Sequence, residues 1–99
     1  MQKNKYDISP LSVASELSSF EMVQYLLNHE ANVNTIIYPI MSAIKSNIDA
    51  YKKVKILIDH GANLHINVLG ETPLQYAIRK NKRDIVQLIY EEKLKEQQK

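Results

Sequence analysis

The sequence predicts an all-α fold: a short helical-repeat solenoid of about three helix-turn-helix repeats with hairpin-like fingers. Three observations carry that reading. First, Ser9-Pro10-Leu11-Ser12-Val13-Ala14, Tyr38-Pro39-Ile40-Met41-Ser42-Ala43 and Thr72-Pro73-Leu74-Gln75-Tyr76-Ala77 all set a proline four residues before an alanine, with an aliphatic residue after the proline. Second, apolar residues follow these phrases at helical spacing. Third, Asn28-His29-Glu30-Ala31-Asn32-Val33 and Asp59-His60-Gly61-Ala62-Asn63-Leu64 align position for position, with histidine, alanine and asparagine in the same places.

Each proline phrase starts a helix. Proline at the first helical position loses no hydrogen bond and has φ already near the helical value. Ser9 and Thr72, just before it, are placed to cap the free N–H groups of the first turn. The aliphatic residue and the alanine fall on one face, where a small alanine lets a neighbouring helix approach.

Taken in order, residues 1–8 are a polar lead-in whose Tyr6 and Ile8 are placed to cover the open end of the first helix pair. Residues 11 to about 17 form a first helix, and Ser18-Ser19 a turn. Residues 20–27 form a second helix with Met22, Val23, Leu26 and Leu27 on its apolar stripe. The second unit begins at Pro39 and carries two extra residues in its hairpin, around Asn47 to Tyr51, because Ala62 lies two positions further from Pro39 than Ala31 lies from Pro10. Its second helix spans 52–58, burying Val54, Leu57 and Ile58. The third unit runs from Thr72 through a polar turn at Asn81-Lys82 to a helix over 84–90. The charged and amide-rich residues 91–99 read as the solvated, fraying end of that helix, polar as a terminal repeat requires.

Ninety-nine residues, 44% of them hydrophobic, suffice for one domain with a modest core, residues 1–99, with repeats at about 6–34, 35–66 and 67–99. There is no cysteine, so disulfides and thiolate chemistry are excluded. A net charge of +2 gives no whole-chain field toward nucleic acid or anionic membrane. No apolar run approaches a membrane span, and the polar N-terminus lacks a signal-peptide pattern, so the expected location is cytoplasmic.

These phrases resemble the ankyrin repeat, a unit of about 33 residues with a Thr-Pro-Leu-His-x-Ala signature. Thr72-Pro73-Leu74-Gln75-Tyr76-Ala77 matches except that Gln75 replaces the histidine, and residues 54–64 resemble the family's second helix and its Gly-Ala-Asp-Val continuation. The resemblance covers about residues 9–90 and implies an ankyrin-type solenoid. Two departures stand out. Pro39 comes five positions after Asn34, but Pro73 comes eight after His65, so the first finger is cut short. Glu30 stands where the family, and Gly61 of the second unit, have glycine.

Catalytic and metal chemistry find little support. His29 and His60 occupy equivalent positions one repeat apart, with no acid or thiol at ligand spacing, and read as groups that favour a helix C-terminus. His65 reads as structural. Two glycines cannot build a phosphate-cradling loop, and no histidine or acid is positioned nearby in sequence to activate one of the serines at 9, 12, 15, 18 and 19. The expectation is no enzyme, no cofactor, no metal and no small-molecule substrate. Arg79, Lys80, Lys82 and Arg83 form a basic cluster that is either a solvated terminal face or a partner-facing patch; Lys52, Lys53 and Lys55 read as solubility residues. Cations are not interleaved with aromatics, which argues against nucleic acid.

The resemblance implies a non-catalytic protein-binding module, a class whose small members include inhibitors and immunity-type neutralising proteins. Its binding face, carried over position by position, would present Glu16 and Leu17 from the first unit, Lys45 and Ser46 from the second, Arg79 and Lys80 from the third, and Ile37, Val68, Leu69 and Glu71 from the fingers. Apolar finger residues are unusual in turns. They either fold back or form an exposed patch, and for Val68-Leu69 the longer finger favours exposure. The partner expected is a protein with an acidic and apolar surface. The competing reading is a fragment of a longer array, or a chain that self-associates.

Overall fold

Proline and hydroxyl signals place the helix starts where the sequence requires them. The computed structural model describes residues 9–35 and 37–97; Tyr6, Ile8 and Ile36 lie outside the described residues. Helix α1 is Pro10–Leu17, and the Ser9 hydroxyl accepts from the Ser12 N–H at 3.1 Å. Helix α2 is Phe20–Asn28, capped in the same way by Ser19, whose hydroxyl accepts from the Met22 N–H. Helix α3 is Pro39–Lys45, where Tyr38 contributes no side-chain cap. Helix α4 is Ala50–Asp59, starting two residues before the expected 52. Helix α5, Pro73–Arg79, starts with a capping box: Thr72 Oγ1 accepts from the Gln75 N–H at 3.3 Å, and Gln75 Oε1 accepts from the Thr72 N–H at 2.9 Å. Gln75 thus does the capping at the position where the family signature has histidine.

The extra length of the second unit lies in its turn: Ser18 and Ser19 link α1 to α2, whereas residues 46–49 link α3 to α4. Helix α6, Arg83–Gln97, continues well past 90, beyond the position equivalent to Gly61, where α4 ends.

The helices stack in two layers. Helix α3 lies between α1 and α5, and α4 between α2 and α6. The core repeats with the sequence. Ala14, Ala43 and Ala77 are buried in the first layer, Val23, Val54 and Ile85 in the second, and Leu11, Ile40, Leu57 and Ile89 between them. Val33, Leu64 and Ile66 carry the core into the connecting segments.

Those segments are stitched to one another. Asn32 and Asn63 each close a turn by accepting from the N–H two residues on, both at 2.8 Å. Asn34 Oδ1 then accepts from the Asn63 N–H at 3.0 Å, and Asn34 Nδ2 donates to the Gly61 carbonyl at 3.3 Å. Apart from an isolated bridge between Val68 and Glu71, no strand pairing occurs among the described residues.

One expectation is corrected. Lys53 is not a solubility residue but is completely buried, donating to the Ser18 carbonyl at 2.7 Å and to Ser46 Oγ at 2.9 Å. Lys55 is exposed, paired with Asp59 at 3.0 Å one helical turn on.

Candidate partner-binding face

The two fingers differ in length, and the difference shapes the surface between them. The first runs directly from Asn34 to Pro39, with Thr35 Oγ1 and Ser12 Oγ both donating to the Ile37 carbonyl and tying it down against α1. The second extends far enough to close a two-residue hairpin, in which Val68 and Glu71 exchange backbone hydrogen bonds of 2.8 and 3.0 Å. Both central residues have positive φ, Leu69 at +53° and Gly70 at +89°, as the mirror-image turns of tight hairpins require. Asparagine, aspartate and glycine are the residues suited to that geometry. Leucine is not, and Leu69 is fully exposed, at 101%.

Beneath this tip, a groove of about 530 Å³ opens between the fingers and the first helices. Ile37 and Tyr38 from the first finger, Val68, Leu69 and Glu71 from the second, Met41, Ser42 and Lys45 from α3, and Tyr76 and Arg79 from α5 line it. Of the ten candidate residues, Ile37, Lys45, Val68, Leu69, Glu71 and Arg79 line it together. Glu16 adjoins it through an ion pair with Lys45 at 3.3 Å. Lys80 stands at the edge, its ammonium 5.6 Å from the Tyr76 ring centre. Leu17 is exposed but does not line the groove.

Ser46 departs from the expectation. It is buried, its hydroxyl donating to the Glu16 carbonyl at 2.7 Å and accepting from Lys53, so it faces the neighbouring repeat and not a partner. Val68 departs in part, being half-buried while its neighbour Leu69 is fully exposed. Tyr38, Met41 and Tyr76 were missed. Met41 and Tyr76 stand one turn before Lys45 and Arg79, so helical spacing applied backward from those cations would have found them.

The electrostatics are mostly internal. Arg79 grips Glu71 through two bonds, Nε to Oε2 at 2.7 Å and Nη2 to Oε1 at 3.0 Å, while its guanidinium lies 5.1 Å from the Tyr76 ring centre. The hydrogen bonds from Arg79 hold the Glu71 carboxyl below the usual glutamate range, and the same bonds push the guanidinium up. Both cations that line the groove are therefore already paired with carboxylates of this chain.

The histidines act singly. His60 Nδ1 meets the carbonyl of Ile56 at 3.0 Å, within its own helix. His29 packs on Tyr25, ring centres 4.3 Å apart, and His65 Nε2 meets Glu96 Oε1 at 2.8 Å. Among the described residues no three histidine or acidic side chains cluster as metal ligands, and no helix is long and apolar enough to cross a membrane.

Comparison with known proteins adds one finding. A family model described as ankyrin repeats, three copies, matches residues 13–99. No curated protein matches the chain.

Proposed function

We propose a protein-binding function on the premise that the chain belongs to the ankyrin-repeat family, whose members are generally protein–protein interaction modules and typically non-catalytic. In this reading the groove between the fingers is the binding face, and the partner inserts an apolar side chain beside Leu69. Glu16, Lys45, Glu71, Arg79 and Lys80 form its polar rim. The single observation that carries the reading is Leu69: a large apolar residue held fully exposed in a backbone conformation that disfavours it. A residue selected for folding alone would be asparagine, aspartate or glycine at that position.

The charge pattern refines the partner. Arg79 and Lys45 already bind Glu71 and Glu16, so an acidic partner must displace an existing ion pair to reach either. Affinity then rests mainly on the apolar anchor, with acidic groups of the partner setting orientation near Lys80.

Leu69→Asn tests this cleanly, because asparagine tolerates the left-handed backbone better than leucine and the variant is expected to melt no lower than the parent. After affinity capture of a partner from native lysate, the substitution is expected to weaken binding about 10- to 100-fold, the value of one buried leucine-sized contact. Retention of full affinity by the variant would exclude the finger tip from the interface.

A further inference from the structure

Both ends of the stack expose apolar side chains at positions that the inner repeat buries. At one end Val13, Leu17, Met22 and Tyr25 are all exposed, Tyr25 at 57%. Their counterparts in the second repeat are Ser42, Ser46, Lys53 and Ile56, all buried. The first two follow Pro39 as Val13 and Leu17 follow Pro10, and the last two precede His60 as Met22 and Tyr25 precede His29. The pattern is the reverse of a solubilising cap: three of the four buried positions are polar, and all four exposed ones are apolar. At the other end Ile78 is 58% exposed, whereas Ile44, which follows Pro39 as Ile78 follows Pro73, is wholly buried. Ile78 and Val86, with Arg83 beside them, line a shallow depression of about 220 Å³.

We propose that these two end faces are the halves of one contact, filled by a second copy of this chain stacked head to tail, with α5 and α6 of one copy on α1 and α2 of the next. The internal junctions supply the template, since α3 already packs on α1 and α5 on α3, and α4 on α2 and α6 on α4. One further step of the same kind sets Ile78 against Val13 and Leu17, and Val86 against Tyr25.

Charge argues for the same occupant. The outer groove between α2 and α4 has Glu21 on one wall and Lys52 on the other. Glu21, Lys52 and Arg83 are evenly spaced along the chain at one repeat position, so at the new junction Arg83 takes the place of Glu21 and the next copy's Glu21 takes the place of Lys52. That junction brings opposite charges to the groove, whereas the α4–α6 junction within the chain sets two cations, Lys52 and Arg83, at the same positions. Among the described residues neither Glu21 nor Arg83 has an ion-pair partner within one chain.

The contact is heterologous and does not close, so assembly continues beyond the dimer. Sedimentation velocity of the full chain over a concentration series tests it. The average mass is expected to rise from the 11.4 kDa monomer through dimer and trimer. Tyr25→Asp and Ile78→Asp each hold the chain at monomer, but an equimolar mixture of the two stops at dimer, because one intact face of each kind remains. Glu21→Arg and Arg83→Glu each weaken association, and both changes in one chain restore it.

A wild-type chain that stays monomeric throughout overturns the proposal. In that case, a lower melting temperature for Tyr25→Asp with none for Ile78→Asp would make residues 1–8 of the same chain the occupant. Dimers that persist in one single variant overturn it too, by showing a symmetric contact between like faces.

Discussion

Glu30 ends α2 at φ +68°, and Gly61 ends α4 at φ +91°, so one left-handed turn is made by two residues of very different suitability. Glutamate there carries a Cβ into left-handed space and sets a negative charge at a helix C-terminus, both unfavourable. Glu30→Gly is expected to stabilise the chain by about 1 kcal/mol. In a domain of this size that raises the melting temperature by about 4–8 °C. Glu30→Gln, which removes only the charge, gives a smaller rise, and a calorimetric scan showing no gain for glycine would mean that the turn relaxes elsewhere. The position was legible in the sequence because the repeat supplies its own reference: the same segment occurs twice, once with glycine. Burial of Lys53 was not. A lysine between Lys52 and Val54 reads as solvated until the Ser18 carbonyl and Ser46 hydroxyl, 35 and 7 residues away, are known to converge on it.

At the scale of elements, helix starts were the most readable feature, since proline, a preceding hydroxyl and a capping glutamine act within one turn. The fingers were readable in length but not in direction. Ile66 turns into the core, Val68 lies half-buried and Leu69 points outward, because a positive-φ pair reverses the chain at the tip. The second finger is fixed to α5 by the Glu71–Arg79 pair, which gives it a defined pH response. The folded-state Glu71 carboxyl titrates below the ordinary glutamate value of 4.5 because Arg79 donates to its charged form. Its stabilising contribution is therefore complete above that value and is lost only as pH falls through the lower, folded one. An NMR titration is expected to place the Glu71 midpoint below the ordinary glutamate value. Arg79→Gln is expected to raise it toward that ordinary value, and an unmoved midpoint would assign the shift to some other source.

For the whole molecule, the turns opposite the fingers are joined by one polar seam that crosses all three repeats. Lys53 donates to the Ser18 carbonyl and to Ser46 Oγ, Ser46 Oγ donates to the Glu16 carbonyl, and Lys82 Nζ donates to the Ser46 carbonyl at 2.9 Å. Repeat stacks cohere only through neighbouring contacts, so this seam couples units that could otherwise open separately. Its centre is an ammonium group with no bonded carboxylate among the described residues. Burial pushes the Lys53 pKa down; Asp49 opposes that shift from nearby and Lys82 adds to it. Between that lowered value and the ordinary 10.5, the folded chain binds fewer protons than the unfolded one, so Lys53 makes stability rise with pH over this window. The neutral amine keeps both hydrogen bonds while the cost of a buried charge disappears. Lys53→Met removes the charge but leaves the Ser18 carbonyl without its donor, a loss of about 1–3 kcal/mol set against the relief of a desolvated cation. The destabilisation measured against the parent is therefore expected to be smallest near neutral pH and to grow as pH rises toward the ordinary lysine value of 10.5. Denaturant melts of both chains at the two pH values decide it: a difference that stays constant or shrinks would mean that Lys53 is as well solvated in the fold as in the unfolded chain. Amide exchange gives the second readout, since cutting the seam should let α1 and α2 open before α3 to α6 instead of with them.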